Sequence, residues 1–252
     1  MTTYMAGGRG VAAGRGWDWI AAGWKLFKRQ AGMWIALILV ALAIFNMPEF
    51  IQHIPFIGEI AAIIGTIASF VFTPVFVAGI FIGCRTIEEG QELEIGHLFA
   101  GFREKFWPLA TVGAICLGAV CLTAFVTGLA TGADLFAILE GRTPLFINLL
   151  AVLVSVALML PVMMAIWFAP ALVVFHDKGT VDAMKESFTG CLRNVVPFLV
   201  YGVVVVPFLV NCVAVMLLGV LASFPLFMGW LVLGPVLAPS LYTSYKDIYL
   251  TA

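Results

Sequence analysis

Long apolar runs separated by short charged segments occupy almost the whole chain. Six of them, near 31 to 48, 58 to 83, 108 to 130, 145 to 175, 195 to 220 and 225 to 246, are long enough for a helix to cross a hydrocarbon layer. Such a layer is about 30 Å thick and takes about 20 helical residues. The pattern predicts an all-α polytopic membrane protein with six transmembrane helices. The fourth run is over-long for one straight crossing and contains Pro161 and Pro170, so a kinked or strongly tilted helix is expected there. The first run follows the basic stretch Trp24 to Arg29, as in a signal peptide. No small-residue cleavage site follows it, so it is read as a retained helix.

The charged segments before three of the runs are themselves amphipathic. Trp17, Ile20, Trp24 and Phe27 oppose Asp18, Lys25, Lys28 and Arg29 in the first. Ile95, Leu98, Phe99, Phe102 and Phe106 share a face in the second, with His97, Arg103, Glu104 and Lys105 elsewhere. In the third, Val181, Met184, Phe188, Cys191 and Val195 recur at spacings of three and four behind Thr180, the expected N-cap. Each predicts a short helix in the headgroup plane. The second and third share a Phe-x-Gly-x6-Pro frame, Phe99 to Pro108 and Phe188 to Pro197. The first keeps the phase around Gly23 with Ala21 for Phe and Gln30 for Pro. Pro-Val recurs at Pro74, Pro161 and Pro235.

Three hairpins, each preceded by a cytoplasmic amphipathic interfacial helix, follow from this. The domain expectation is a flexible, Gly-rich tail over 1–14 and one membrane domain over 15–252, with repeat units near 15–90, 91–179 and 180–252. Gly8 to Gly10 and Gly14 to Gly16 suggest a phosphate loop, but no strand precedes them and no Gly-Lys-Ser/Thr follows. Three two-crossing units entering from one side form parallel repeats about an axis along the membrane normal, unlike the inverted halves of many transporters.

Composition agrees: 63% of the 252 residues are hydrophobic and 11% charged, against about 25% charged in soluble proteins. The net charge of -1 argues against a nucleic-acid partner. In the six-span layout twelve of the 13 basic residues fall on one side, with Arg142 alone on the other. That places both termini in the cytoplasm. Glu49, Glu59, Asp134 and Glu140 fall on the outer side. The five cysteines are read as free thiols.

The stretches Gly16 to Ile20, Glu88 to Phe102, Phe168 to Asp177 and Ser187 to Asn194 resemble an uncharacterised family of proteobacterial integral inner-membrane proteins, and more loosely YciC-type multi-pass proteins. The resemblance implies a bacterial inner membrane and carries over no activity or catalytic residue.

Chemistry is sparse. There is no zinc-protease His-Glu-x-x-His and no Gly-x-Ser-x-Gly elbow, and His53, His97 and His176 are dispersed. Glu94 with His97 is read as a solvated pair, and His176-Asp177 as a capping or headgroup contact. No catalytic, metal or cofactor site is expected, and no enzyme. Glu59, Thr66, Ser69 and Thr73 form a polar stripe that lines a cavity or lets helices pack. Gly79-x3-Gly83, Gly128-x3-Gly132, Thr123, Thr127, Thr131, Asn148 and Asn211 are read as packing and interhelical groups. Lys25, Lys28, Arg29, Trp17 and Trp24, with Trp19, are the candidate lipid contacts. The expected task is membrane organisation or partnership with another membrane protein or a second copy. A transporter or channel for a small or lipidic solute is the alternative.

Overall fold

The computed structural model describes residues 3–51, 54–55, 58–132, 143–203 and 224–251, with the backbone alone at 49 and 224–233. His53, Asp134, Glu140, Arg142, Asn211, Cys212 and most of the fifth expected span lie outside the described residues, as does the side chain of Glu49. The helices are α1 (Arg15–Arg29), α2 (Ala31–Ile51), α3 (Gly58–Glu88), a 3-10 turn (Ile95–Phe99), α4 (Ala100–Glu104), α5 (Phe106–Thr131), α6 (Leu145–Trp167), α7 (Ala169–His176), α8 (Thr180–Arg193) and α9 (Phe224–Tyr249). Residues 195–203 are also helical. Strand β1 (Thr3–Tyr4) pairs antiparallel with β2 (Leu250–Thr251).

Among the described residues four stretches are long and apolar enough to cross a membrane: Ala31–Pro48, Gly58–Glu88, Phe106–Thr131 and Leu145–His176. They are helical because lipid offers no partner to a backbone amide, so each must be satisfied within its own segment. Ile60, Ile63, Phe125, Leu129, Leu149 and Leu153 point outward along them, as expected where the solvent is hydrocarbon. The protein is an integral membrane protein. Its largest buried side chains, among them Trp19, Trp34, Phe81, Phe168, Tyr245 and Tyr249, gather instead toward the end that carries the charged segments.

The kink expected in the fourth run falls at Phe168, between α6 and α7, and α6 passes through Pro161 unbroken. Pro170 brings no N–H and disfavours helix in the residue before it. The hydroxyl of Ser187 on α8 enters the gap, accepting from Phe168 N–H at 2.9 Å and donating to Met164 C=O at 2.7 Å.

Three packing contacts follow one another around the molecule. A Cβ on Gly101 of α4 would stand 2.3 Å from Val75 O of α3, and one on Gly23 of α1 would stand 2.6 Å from Ser240 N of α9. The third contact is Ser187 of α8 on α6. A second set links the residue seven positions after each central glycine to the start of the next amphipathic segment. Gln30 accepts from Leu93 N–H at 2.6 Å and donates to Gln91 O at 3.1 Å. Pro108 C=O accepts from Thr180 Oγ1 at 3.1 Å. Pro197 C=O lies 2.2 Å from where a Cβ on Gly16 would be.

Several expectations change. The second amphipathic segment is a 3-10 turn plus one helical turn, with Ile95 and Phe99 exposed and Leu98 buried. Thr180 is the first residue of α8 and Gly179 its N-cap, because the Thr180 hydroxyl is spent on Pro108. The three Pro-Val pairs are not equivalent: Gly101 seats beside Pro74, but Gly23 seats beside Pro239 rather than Pro235. Gly132 is a left-handed cap with φ 64° ending α5, not a packing residue. Residues 3–14 are not a free tail. Their backbone is fixed by β2 and by the side chains of Glu186, Arg193 and Asn194.

Candidate functional site

The charged end is organised by three carboxylates. Asp247, at the end of α9, receives Arg9 Nη2 at 2.9 Å, Arg15 Nε at 2.7 Å and Trp19 Nε1 at 2.9 Å. Burial alone would raise its pKa. The hydrogen bonds from Arg15, Trp19 and Arg9 and the Arg15 charge outweigh that and hold the carboxyl below its ordinary value. Glu186, on α8, accepts from Tyr4 OH at 2.5 Å and Gly7 N–H at 3.1 Å, and pairs with Lys178 at 3.5 Å. Burial and the bond to Glu186 push the Tyr4 phenol far up, so it stays a donor. Glu88, ending α3, pairs with Lys246 at 2.7 Å and accepts from Tyr242 OH at 2.9 Å.

The N-terminal segment is thereby strapped across α8 and α9. Asn194 reinforces it, accepting from Val11 N–H and donating to Arg9 O, each at 2.8 Å, and Arg193 donates to Gly7 O and Gly8 O. Gly7 and Gly8 take φ of 73° and 66°, which glycine adopts without a steric penalty. A Cβ on Gly8 would also lie 2.7 Å from Ile248. A Gly-rich segment therefore suits a close-lying strap.

Beneath the strap, side chains from three helices meet. Phe81 of α3, Phe175 of α7 and Tyr242 and Tyr245 of α9 have ring centroids 5.7 to 6.3 Å apart in neighbouring pairs. His176 Nε2 is 2.6 Å from Tyr245 OH, and Tyr4 stacks on the imidazole at 3.7 Å. This packing fills the middle of the charged end. Burial pushes the Cys191 thiol of α8 up to about 12, which suppresses thiolate chemistry at neutral pH.

The candidate lipid contacts divide by face. Gly16, Trp19, Gly23, Leu26 and Phe27 are the buried side of α1. Trp17 and Trp24 are therefore outward, not inward with Phe27, and Trp19 is a core residue rather than an anchor. Lys25, Lys28 and Arg29 are exposed. Lys28 Nζ lies 5.8 Å from the Trp24 ring centroid. Arg29 reaches Ile87 O at 3.4 Å. Trp17 and Trp24 thus share a flank with Lys28, while Arg15, Asp18 and Lys25 line a different one beside Thr243.

Of the polar stripe, Ser69 alone lines a cavity among the described residues, a mostly apolar one of about 190 Å³ between α2 and α3. Glu59 is exposed, and Thr66, Ser69 and Thr73 donate to Ala62 O, Gly65 O and Ser69 O of their own helix at 2.7 to 2.8 Å. Glu94 and His97 form a reciprocal capping box at the 3-10 turn. His176 and Asp177 diverge: Asp177 takes a left-handed φ of 52° that ends α7 and pairs with Lys105. Gly79 and Gly83 admit Leu98 and Leu93. Thr123 meets Met159 Sδ and Thr127 meets Ser155 between α5 and α6, whereas Asn148 bonds locally to Thr143. Asp247, Glu186, Tyr4 and the Tyr242/Tyr245/Tyr249 series were not singled out in sequence. The last was findable, since spacings of three and four put the tyrosines on one helix face.

No family model and no solved structure matches the chain. The chain is similar to a protein of Burkholderia thailandensis named as a probable inner membrane protein, with 27% identity over 208 residues, 76% of this chain and 72% of that one.

Proposed function

We propose that this is a non-enzymatic inner-membrane protein of six spans in three hairpins, which organises the membrane or serves as a partner of another membrane complex. Both termini lie in the cytoplasm, and a collar of interfacial helices rests among lipid headgroups. The observation that carries the reading is the cyclic order of contacts. Each amphipathic segment seats on the helix that ends the preceding unit, and Gln30, Pro108 and Pro197 each touch the start of the following segment. The strap joins the last unit to the first, so the three units form a closed ring. The name of the Burkholderia relative supports the inner membrane, and the looser likeness to YciC-type proteins belongs to the same proposal.

The collar contacts lipid through Trp17, Trp24, Lys25, Lys28 and Arg29. A basic side chain near an anionic membrane surface contributes about 1 kcal/mol, and indole rings favour the interface. The filled middle formed by Phe81, Phe175, Tyr242 and Tyr245 favours a static scaffold over a solute pathway. The outward, self-bonded Thr66 and Thr73 supply no argument for the transporter alternative. Reconstitution in vesicles with and without phosphatidylglycerol tests the reading. Anionic lipid stabilises the protein, Lys28→Glu with Arg29→Glu abolishes the gain, and no solute flux accompanies it. Flux lost on Glu59→Gln would overturn the scaffold.

A further inference from the structure

The flank of α1 turned toward α9 forms a cleft of about 420 Å³, lined by Arg15, Asp18, Trp19, Ala22, Lys25 and Thr243. That size falls at the lower end of the roughly 300–1,000 Å³ typical of small-ligand sites. Its charges are unevenly spent. Arg15 gives its Nε to Asp247 at 2.7 Å and keeps only a loose 3.4 Å contact with Asp18. Lys25 has no ion-pair or hydrogen-bond partner among the described residues. The cleft therefore offers one free ammonium and one half-satisfied carboxylate, two helical turns apart, over a floor kept open by the small side chain of Ala22. Thr243 is occupied, donating to Trp19 O at 2.9 Å.

We infer that this cleft binds the zwitterionic headgroup of phosphatidylethanolamine. Its phosphate pairs with Lys25 and its primary ammonium donates to Asp18. A purely anionic headgroup would meet the Asp18 carboxylate unfavourably, and a quaternary ammonium would bring Asp18 no N–H to accept from. The site rests on the reading of α1 as an interfacial helix, because Trp17 and Trp24 on the neighbouring flank set its depth. It shares Lys25 with the collar but takes a different lipid, and Asp18 and Arg15 rather than Lys28 and Arg29 complete it.

The test uses the full chain in nanodiscs of phosphatidylcholine carrying either phosphatidylethanolamine or phosphatidylglycerol, with retained lipid counted by native mass spectrometry. Soluble phosphoethanolamine is the competing arm. The expected result is selective retention of phosphatidylethanolamine, weakened about tenfold by Asp18→Asn or Lys25→Gln, as the loss of one charge-assisted hydrogen bond implies. Ala21→Trp, on the exposed rim, blocks the cleft without touching either charge. Equal retention of phosphatidylethanolamine and phosphatidylcholine, with the phosphatidylglycerol dependence of Lys28 and Arg29 intact, overturns the cleft and leaves the collar standing. Saturable binding of soluble phosphoethanolamine without retained lipid overturns the lipid assignment.

Discussion

The Ser187 hydroxyl stands inside the backbone ladder of a neighbouring helix, bridging Phe168 N–H and the Met164 carbonyl that this N–H would otherwise reach. A side chain inserted into the i to i−4 ladder is a recognised cause of helix kinks. Here it fastens α8 to the break that Pro170 opens. Ser187→Ala removes both hydrogen bonds of this inserted hydroxyl, so a loss of about 1–3 kcal/mol is expected. Thermal unfolding in detergent measures it. Ser187→Thr, which keeps the hydroxyl, should recover part of the loss, and an unchanged melting temperature for Ser187→Ala would remove the bridge from the account.

Glycine sites separate cleanly into tight and open. Gly101→Ala puts a Cβ 2.3 Å from Val75 O, and Gly23→Ala puts one 2.6 Å from Ser240 N. Backbone atoms must move, at a cost of about 1–3 kcal/mol for overpacking. Gly32 and Gly118 have nothing within 4 Å, and in a helix interior alanine is favoured over glycine by about 0.5–1 kcal/mol. The first pair should lower stability and the second should leave it equal or higher. The same loss at all four positions would contradict the seating of α1 and α4.

Asp247 ties the strap in a pH-dependent way. Its carboxyl titrates below its ordinary value of 3.8 in the folded protein. The ionised form is therefore stabilised by folding. That contribution is fully present above about 3.8 and shrinks as pH falls through the folded value. Protection of residues 3–11 against hydrogen exchange, relative to the unstructured rate at each pH, should hold from neutral pH down to the carboxylate range and fall below it. Asp247→Asn should give fast exchange at neutral pH and remove this part of the acid dependence. A strap equally protected in Asp247→Asn would mean that Glu186 and Asn194 hold it unaided.

The four described spans were legible because lipid demands long apolar helices, and their bounds match the runs beginning near 31, 58, 108 and 145. The break at Phe168 was legible as a proline effect but not in position, because it depends on Ser187. The faces of α1 were misread for a physical reason. A surface helix in a membrane protein meets three environments, and a hydrophobic-against-polar pattern separates only two. The protein-facing side of α1 carries Gly16 and Gly23 beside Trp19, while lipid and headgroups receive Trp17 and Trp24. The strap was read as a tail because its partners, from Glu186 to Asp247, lie far along the chain. Nothing local in a Gly-rich segment announces them.

Thr3 faces Thr251 in the β1–β2 pair, so the two ends of the chain meet, and the proposed closed ring puts that meeting point on the cytoplasmic side. With the native cysteines replaced, Thr3→Cys and Thr251→Cys together should oxidise to a disulfide within one chain. Before oxidation both should react with a membrane-impermeant maleimide in inverted inner-membrane vesicles and stay unlabelled in intact spheroplasts. Labelling from the spheroplast exterior, or a failure to cross-link within the chain, would contradict the closed, cytoplasmic-ended ring.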